Sequence, residues 1–265
     1  MELLKALLLG IVQGLTEFLP VSSSGHLEIA KVILGDRYGA EENLMMTIVL
    51  HFATALATVY VFRREIQNIF SGLHKKNSTS QKYAFNVILS MLPAGLIGYF
   101  FQDQLKLLFD ERIGLVGICL IATGVLLFIA NKGRKTHKKI GWLEAFIIGV
   151  SQAVALLPGI SRSGATISTS VILGVDRSVS AEFSFLMVLP LIFLKIGDDI
   201  LHLRFSGLEQ EWLLYLVVGF TSAFFTGIFA CKWMIQLVKN FQLNYFGYYC
   251  LLVGAAAILY GWIAS

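Results

Sequence analysis

Two stretches of this chain repeat one another 139 positions apart. The first reads Gly10-Ile-Val-Gln13-Gly-Leu-Thr-Glu17-Phe-Leu-Pro20-Val-Ser22-Ser23-Ser24-Gly25-His26. The second reads Gly149-Val-Ser-Gln152-Ala-Val-Ala-Leu-Leu-Pro158-Gly-Ile-Ser161-Arg162-Ser163-Gly164. Aligned without a gap over residues 4–35, 11 of 32 positions are identical, among them Gly10/Gly149, Gln13/Gln152, Ser22/Ser161, Ser24/Ser163, Gly25/Gly164 and the closing Val32–Gly35/Val171–Gly174. Each copy sets polar backbone, broken by Gly and Pro, between apolar flanks. Such backbone is tolerated at membrane depth only where protein or a wet cavity surrounds it. In a membrane protein, paired interruptions of this kind point to a binding site.

Composition fixes the membrane class. Hydrophobic residues make up 56% of the 265 and charged ones 14%, against roughly 25% charged in soluble domains. The repeat spans about 1–135 and 140–265, so one integral membrane domain over 1–265 is expected. A net charge of +4, carried mostly in short loops, reads as a topology signal and not as a nucleic-acid surface. Cys119, Cys231 and Cys250 lie inside apolar runs and have no metal or disulfide spacing, so they read as packed thiols. The Met1-Glu2 start has no basic segment or cleavage site, and a removed signal peptide is not expected.

Six apolar runs are long enough to cross a bilayer: about 45–62, 83–101, 113–130, 182–200, 212–234 and 245–263. Four shorter runs, about 3–19, 26–35, 143–157 and 165–175, flank the two Ser-Gly loops. At about 1.5 Å per residue the short members cannot span, and two re-entrant helical hairpins fit them. The fold class expected is therefore an all-α polytopic membrane protein, with six transmembrane helices plus two re-entrant hairpins. Basic residues gather after the first span (Arg63, Arg64, Lys75, Lys76, Lys82), after the third (Lys132, Arg134, Lys135, Lys138, Lys139) and after the fifth (Lys232, Lys239). Loops 102–112 and 198–211 carry Asp103, Asp110, Glu111, Asp198, Asp199, Glu209 and Glu211 against Lys106, Arg112 and Arg204. The positive-inside rule then sends the basic loops to the cytoplasm. The hairpins open to opposite sides, and the repeat is inverted.

The chemistry sits in the loops. Gln13 and Glu17 are four apart and share a helix face, and Pro20 ends that helix. Ser22, Ser23, Ser24 and Gly25 follow, with His26 at the start of the next helix. Hydroxyls and unpaired N–H groups at a helix N-terminus suit an anion. Glu17 adds a carboxylate that can hold a divalent cation through oxygen, and His26 can carry a proton. In the second copy Ser161, Arg162, Ser163 and Gly164 occupy the same places, with Arg162 aligned to Ser23, Leu156 to Glu17 and Ala165 to His26. An arginine at bilayer depth costs about 2.5–3.5 kcal/mol on insertion scales, and its planar fork fits phosphate oxygens. Each loop alone also reads as a pair of helix caps, and Arg162 also as a side chain snorkelling to the surface. Face to face, the loops make an inventory for phosphoryl transfer.

Other polar residues read as structural. His51, inside an apolar run, is expected to be packed or hydrogen-bonded. Asp176, Arg177 and Glu182 are expected as loop and helix-cap residues. Trp142, Trp212, Trp262 and Tyr260 lie near span ends, as interfacial belts do.

The strings Gln13–His26 and Pro158–Gly164, with Ser180-Ala-Glu182-Phe-Ser-Phe-Leu and the Arg63-Arg64 end of the first span, resemble the undecaprenyl-diphosphatase family, the BacA/UppP or bacitracin-resistance proteins. The resemblance covers essentially the whole chain. It implies removal of the terminal phosphate of undecaprenyl diphosphate at the outer face of the bacterial cytoplasmic membrane, recycling the lipid carrier for peptidoglycan. It also implies a divalent cation and a homodimer. Many members have a carboxylate at the position of Gln13, and some have Thr at Ser24. On this reading Ser23, His26 and Glu17 are catalytic, with Ser23 or a water as nucleophile and Glu17 on the metal. Arg162, Ser161, Ser163, Ser22, Ser24, Gly25 and Gly164 hold the phosphates, and Gln13 supports them. Inverted repeats with broken helices also suit a transporter or lipid flippase.

Overall fold

A computed structural model describes residues 2–34, 40–101, 104, 113–202 and 210–264. The described residues form helices: α1 (Glu2–Thr16), α2 (Ser23–Ile33), α3 (Ala40–Val61), α4 (Arg63–His74), α5 (Ser78–Phe100), α6 (Ile113–Asn131), α7 (Trp142–Val154), α8 (Arg162–Ile172), α9 (Arg177–Met187), α10 (Leu189–His202), α11 (Gln210–Lys239) and α12 (Leu243–Ala264). Among them six segments are long and apolar enough to cross a membrane: Glu42–Val61, Ser78–Phe100, Ile113–Asn131, Arg177–Leu201, Trp212–Lys239 and Leu243–Trp262. The protein is all-α and multi-pass, as the hydropathy pattern required. Loop residues Asp103, Lys106, Asp110, Glu111, Arg112, Arg204 and Glu209 lie outside the described residues, as does Gly35 at the end of the aligned stretch 4–35.

Three features depart from the sequence expectations. The basic stretch after the first span is not a loop but the amphipathic helix α4, with Glu65 in its first turn and His74 in its last, the polarity that favours a helix dipole. The run about 182–200 belongs to two helices that meet at Val188. Pro190 has no N–H to give the Leu186 carbonyl, and the helix resumes with Ile192 N–H donating to Val188 O at 2.9 Å. Trp212 stands at the start of its span but is buried inside the protein, while Trp142 and Trp262 are exposed as a lipid-facing belt residue would be.

Small residues set the packing around the loops. A Cβ at Gly10 of α1 would lie 2.4 Å from Gly219 O of α11, and one at Gly149 of α7 would lie 2.5 Å from Ser90 O of α5. Each copy thus presses its first short helix onto a long helix drawn from the other half of the chain. α6 and α12 approach closely where Gly117 and Gly254 face one another. The main buried cluster runs beneath both loops, through Phe18, Leu120, Leu127, Ile167, Phe185 and Met234. The three cysteines are free and buried.

Asp176 caps α9, its side chain accepting from Ser178 N and Val179 N. Arg177 is buried and caps a different helix. Its Nη2 donates to the carbonyls of Ala130, Asn131 and Gly133, each at 3.0 Å, and its guanidinium stacks 3.7 Å from the Phe241 ring centroid. The Ala130 carbonyl also accepts from Gly133 N–H at 3.0 Å, while those of Asn131 and Gly133 lie past the last acceptor of the helical ladder. Arg177→Ala removes all three bonds, and a loss of about 3 kcal/mol is expected. Thermal unfolding in detergent checks it; an unchanged midpoint would show that the cap contributes nothing.

Candidate active site

The first loop is a tight reversal. α1 stops at Thr16, earlier than the apolar run suggested, although Glu17 N and Leu19 N still donate to Gln13 O and Leu15 O. The chain turns through Pro20 and reaches Ser22 at φ 72°. This left-handed conformation is sparsely populated by residues with a Cβ and marks local strain. Two bonds hold it: His26 N–H to Ser22 O at 3.3 Å and His26 Nδ1 to the same carbonyl at 2.9 Å. α2 then begins at Ser23, so Ser23, Ser24 and Gly25 stand in its first turn and not ahead of it.

The second loop has a related geometry. Ser161 is the N-cap of α8 and accepts from Gly164 N at 3.1 Å, while its own N–H donates to Thr123 Oγ1 at 3.2 Å. In both copies the Ser-x-Ser-Gly frame pairs its two outer hydroxyls, Ser22 with Ser24 at 3.5 Å and Ser161 with Ser163 at 3.3 Å. Both frames bring a helix N-terminus, with its partial positive charge, to one region.

The loops touch. Ser163 Oγ donates to Leu19 O at 3.2 Å, and Arg162 Nη2 forms an ion pair with Glu17 Oε1. Glu17 is 7% exposed, and its other oxygen, Oε2, accepts from Ser23 Oγ at 2.9 Å and from Gln13 Nε2 at 3.1 Å. Gln13, fully buried, also reaches Thr54 Oγ1 at 3.5 Å. One buried carboxylate therefore joins the hydroxyl of one loop to the guanidinium of the other. That complementarity was anticipated from the chain; the bonds that make it are tertiary.

These residues wall a cavity of about 130 Å³, lined by Thr16, Glu17, Ser22, Ser23, Ser24, His51, Ala155, Ile160, Ser161, Arg162 and Ser163. Drug-sized pockets hold roughly 300–1,000 Å³, so this one is small, on the scale of a small polar group. The structure brings Glu17, Ser22, Ser23, Ser24, Ser161, Arg162 and Ser163 together on the wall. Gly25 and Gly164 stand just behind it, in the first turns of α2 and α8. His26 does not join the wall. Its Nε2 meets Tyr249 Oη at 2.6 Å, and the two rings stack with centroids 5.6 Å apart.

His51 of α3 takes a place on the wall that the sequence reading gave to no residue. A signal for it existed: Thr47, His51, Thr54 and Thr58 recur at spacings of four, three and four, which places them on one helix face. A polar stripe inside a spanning helix has to face protein or water.

The fit to a divalent cation rests on oxygen donors. Among the described residues no group of three His, Cys, Asp or Glu side chains could form a protein-only metal cage. Gln13 Oε1, however, is buried without a partner, on the amide whose Nε2 donates to Glu17 Oε2. One carboxylate and one amide oxygen are donors of the type that Mg²⁺ or Ca²⁺ takes, and Glu17 and Gln13 are the residues that would hold such an ion.

Residues 6–256 match the family model described as bacitracin resistance protein BacA. The chain is 52% identical over 263 residues to an undecaprenyl-diphosphatase of Christiangramia forsetii, covering 99% of both chains. It is 44% identical over 267 residues to one of Bacteroides fragilis, covering 98% of both. It is 41% identical over 257 residues to one of Methanococcus vannielii, covering 96% of this chain and 98% of that one. With the family model and these relatives both running nearly end to end, the chain belongs to the BacA family of bacitracin resistance proteins.

Proposed function

We propose that this protein is an undecaprenyl-diphosphatase, a membrane hydrolase that converts undecaprenyl diphosphate to undecaprenyl phosphate and inorganic phosphate. The observation that supports it most is the Ser23–Glu17–Arg162 chain across the two loops. A serine hydroxyl is a weak nucleophile unless a base accepts its proton, and here the hydroxyl already donates to a buried carboxylate.

The isoprenoid tail stays in lipid while the diphosphate enters the cavity. Ser23 Oγ attacks the terminal phosphorus as its proton passes to Glu17 Oε2. Protonation of Glu17 removes the charge that holds Arg162, and the guanidinium is freed for the phosphate oxygens. Ser161, Ser163, Ser22 and Ser24, with the first-turn N–H groups around Gly25 and Gly164, supply further donors to developing negative charge. The P–O bond to the bridging oxygen breaks, and undecaprenyl phosphate leaves. Water then releases phosphate from Ser23. A divalent cation held by Glu17 and Gln13 Oε1 would neutralise charge on the diphosphate. His26 was expected to shuttle the proton. With Ser22 and Tyr249 as its partners, the part proposed for it is to hold the strained Ser22 turn that presents Ser23. The loops are proposed as re-entrant hairpins, with the cavity open to the outer face of the cytoplasmic membrane.

Purified protein in detergent tests the function. Detergent abolishes vectorial transport but not hydrolysis, so phosphate release from undecaprenyl diphosphate is expected. Chelation should stop it, and Mg²⁺ or Ca²⁺ should restore it. Absence of phosphate release at any cation concentration would sink the hydrolase reading, and chelator-resistant turnover would sink the cation site.

A further inference from the structure

We propose that His51 is the catalytic residue of the second half-reaction, accepting the proton of the water that hydrolyses the Ser23 phosphoester. This rests on the reading of Ser23 as nucleophile. That step needs an acceptor on the cavity wall, because water attacks phosphorus poorly without one. The other candidates are committed. Glu17 Oε2, which receives the Ser23 hydroxyl in the resting site, is the acceptor of the first half-reaction. After that step this carboxyl carries the proton taken from Ser23. Both nitrogens of His26 are engaged, by Ser22 O and Tyr249 Oη, away from the cavity wall.

His51 lies on the wall that the serine loop also lines. Its Nδ1 is 2.9 Å from Thr47 O. A carbonyl only accepts, so Nδ1 carries a hydrogen, and in the neutral ring it is Nε2 that bears the lone pair. Nε2 has no protein partner among the described residues, and the Thr47 bond fixes the tautomer and the ring plane.

The step balances. The water lone pair forms the new P–O bond, and one water proton passes to His51 Nε2. The bond between phosphorus and Ser23 Oγ breaks, and Oγ recovers the proton held by Glu17. Inorganic phosphate leaves, and His51 returns its proton to solvent through the open cavity.

The test follows both half-reactions by rapid quench, using full-length protein in detergent and undecaprenyl diphosphate labelled on its terminal phosphate. His51→Phe keeps an aromatic ring without an acceptor. It should give a burst of undecaprenyl phosphate close to one equivalent, labelled phosphate trapped on the protein, and steady-state phosphate release about 100-fold slower than the parent. The burst itself reports folded, substrate-binding protein. His51→Gln keeps an acceptor oxygen that can orient water, and should recover part of the steady-state rate. Equal loss of burst and steady state in His51→Phe, or unchanged turnover, overturns the role of His51. Full turnover by Ser23→Ala in the same assay would instead overturn the phosphoserine reading on which it rests.

Discussion

Ser23→Ala is expected to lower phosphate release by at least about 10³-fold while leaving the protein folded, because removing a nucleophile removes the covalent route altogether. The hydroxyl makes a bond to Glu17 but fills no core, so helix content and thermal midpoint should stay close to those of the parent. Ser23→Thr is a sharper companion. It keeps a hydroxyl but adds a methyl in the first turn of α2 next to Ser22, whose backbone is already in the left-handed region. A small residual rate from threonine, with none from alanine, would tie the chemistry to an oxygen at this position. Near-normal turnover from Ser23→Ala would transfer the attack to water.

The second large effect is expected at the Arg162–Glu17 pair, and it separates stability from catalysis. Arg162→Met leaves the Glu17 carboxylate buried with its main charge partner gone. Breaking a fully buried pair costs about 3–5 kcal/mol. The Arg162 side chain is 28% exposed, so solvent recovers part of this, and about 2 kcal/mol is expected. Catalysis should fall by at least about 10²-fold, through loss of charge stabilisation at phosphate. Adding Glu17→Gln to Arg162→Met removes the stranded charge and should restore most of the thermal midpoint, with activity still absent. Arg162→Lys should keep the midpoint and lose most of the activity, because an ammonium lacks the planar two-donor fork. If the double variant is no more stable than Arg162→Met, the ion pair does not hold the loops together.

Much of the architecture was legible in the chain because the signals are local. A run of apolar side chains long enough for a bilayer announces a spanning helix whatever surrounds it, and the six runs correspond to six such segments. The departures arise where local signals conflict. Residues 63–74 are too charged to span, yet Ile66 and Ile69 lie on the side of α4 that packs against the core, so the stretch is helical along the protein's edge. Leu189-Pro190 sits in an apolar run that hydropathy alone reads as continuous, while the missing N–H interrupts it. Ser23 and Ser24 were placed ahead of α2; they fall inside its first turn because Ser22, not His26, completes the reversal.

The two histidines show the limit most directly. His26 follows the serine motif in sequence, and proximity along the chain made it the natural proton carrier. In space its ring is turned to Ser22 and Tyr249, the latter 223 residues away. His51 belongs to no motif and stands on the cavity wall, because α3 passes beside the hairpin that α1 and α2 form.

By itself the sequence determined the membrane class, the spanning helices, the two Ser-x-Ser-Gly loops and their complementary charges. Each of these follows from composition, hydrophobic run length or a repeat, quantities that exist along one dimension. Only the tertiary structure decided that Glu17 meets Arg162 across 145 residues, that His51 lines the cavity and that His26 does not. Ion pairs and cavity walls depend on distances through space, and those distances are set by which helices pack together and how closely their small residues let them approach.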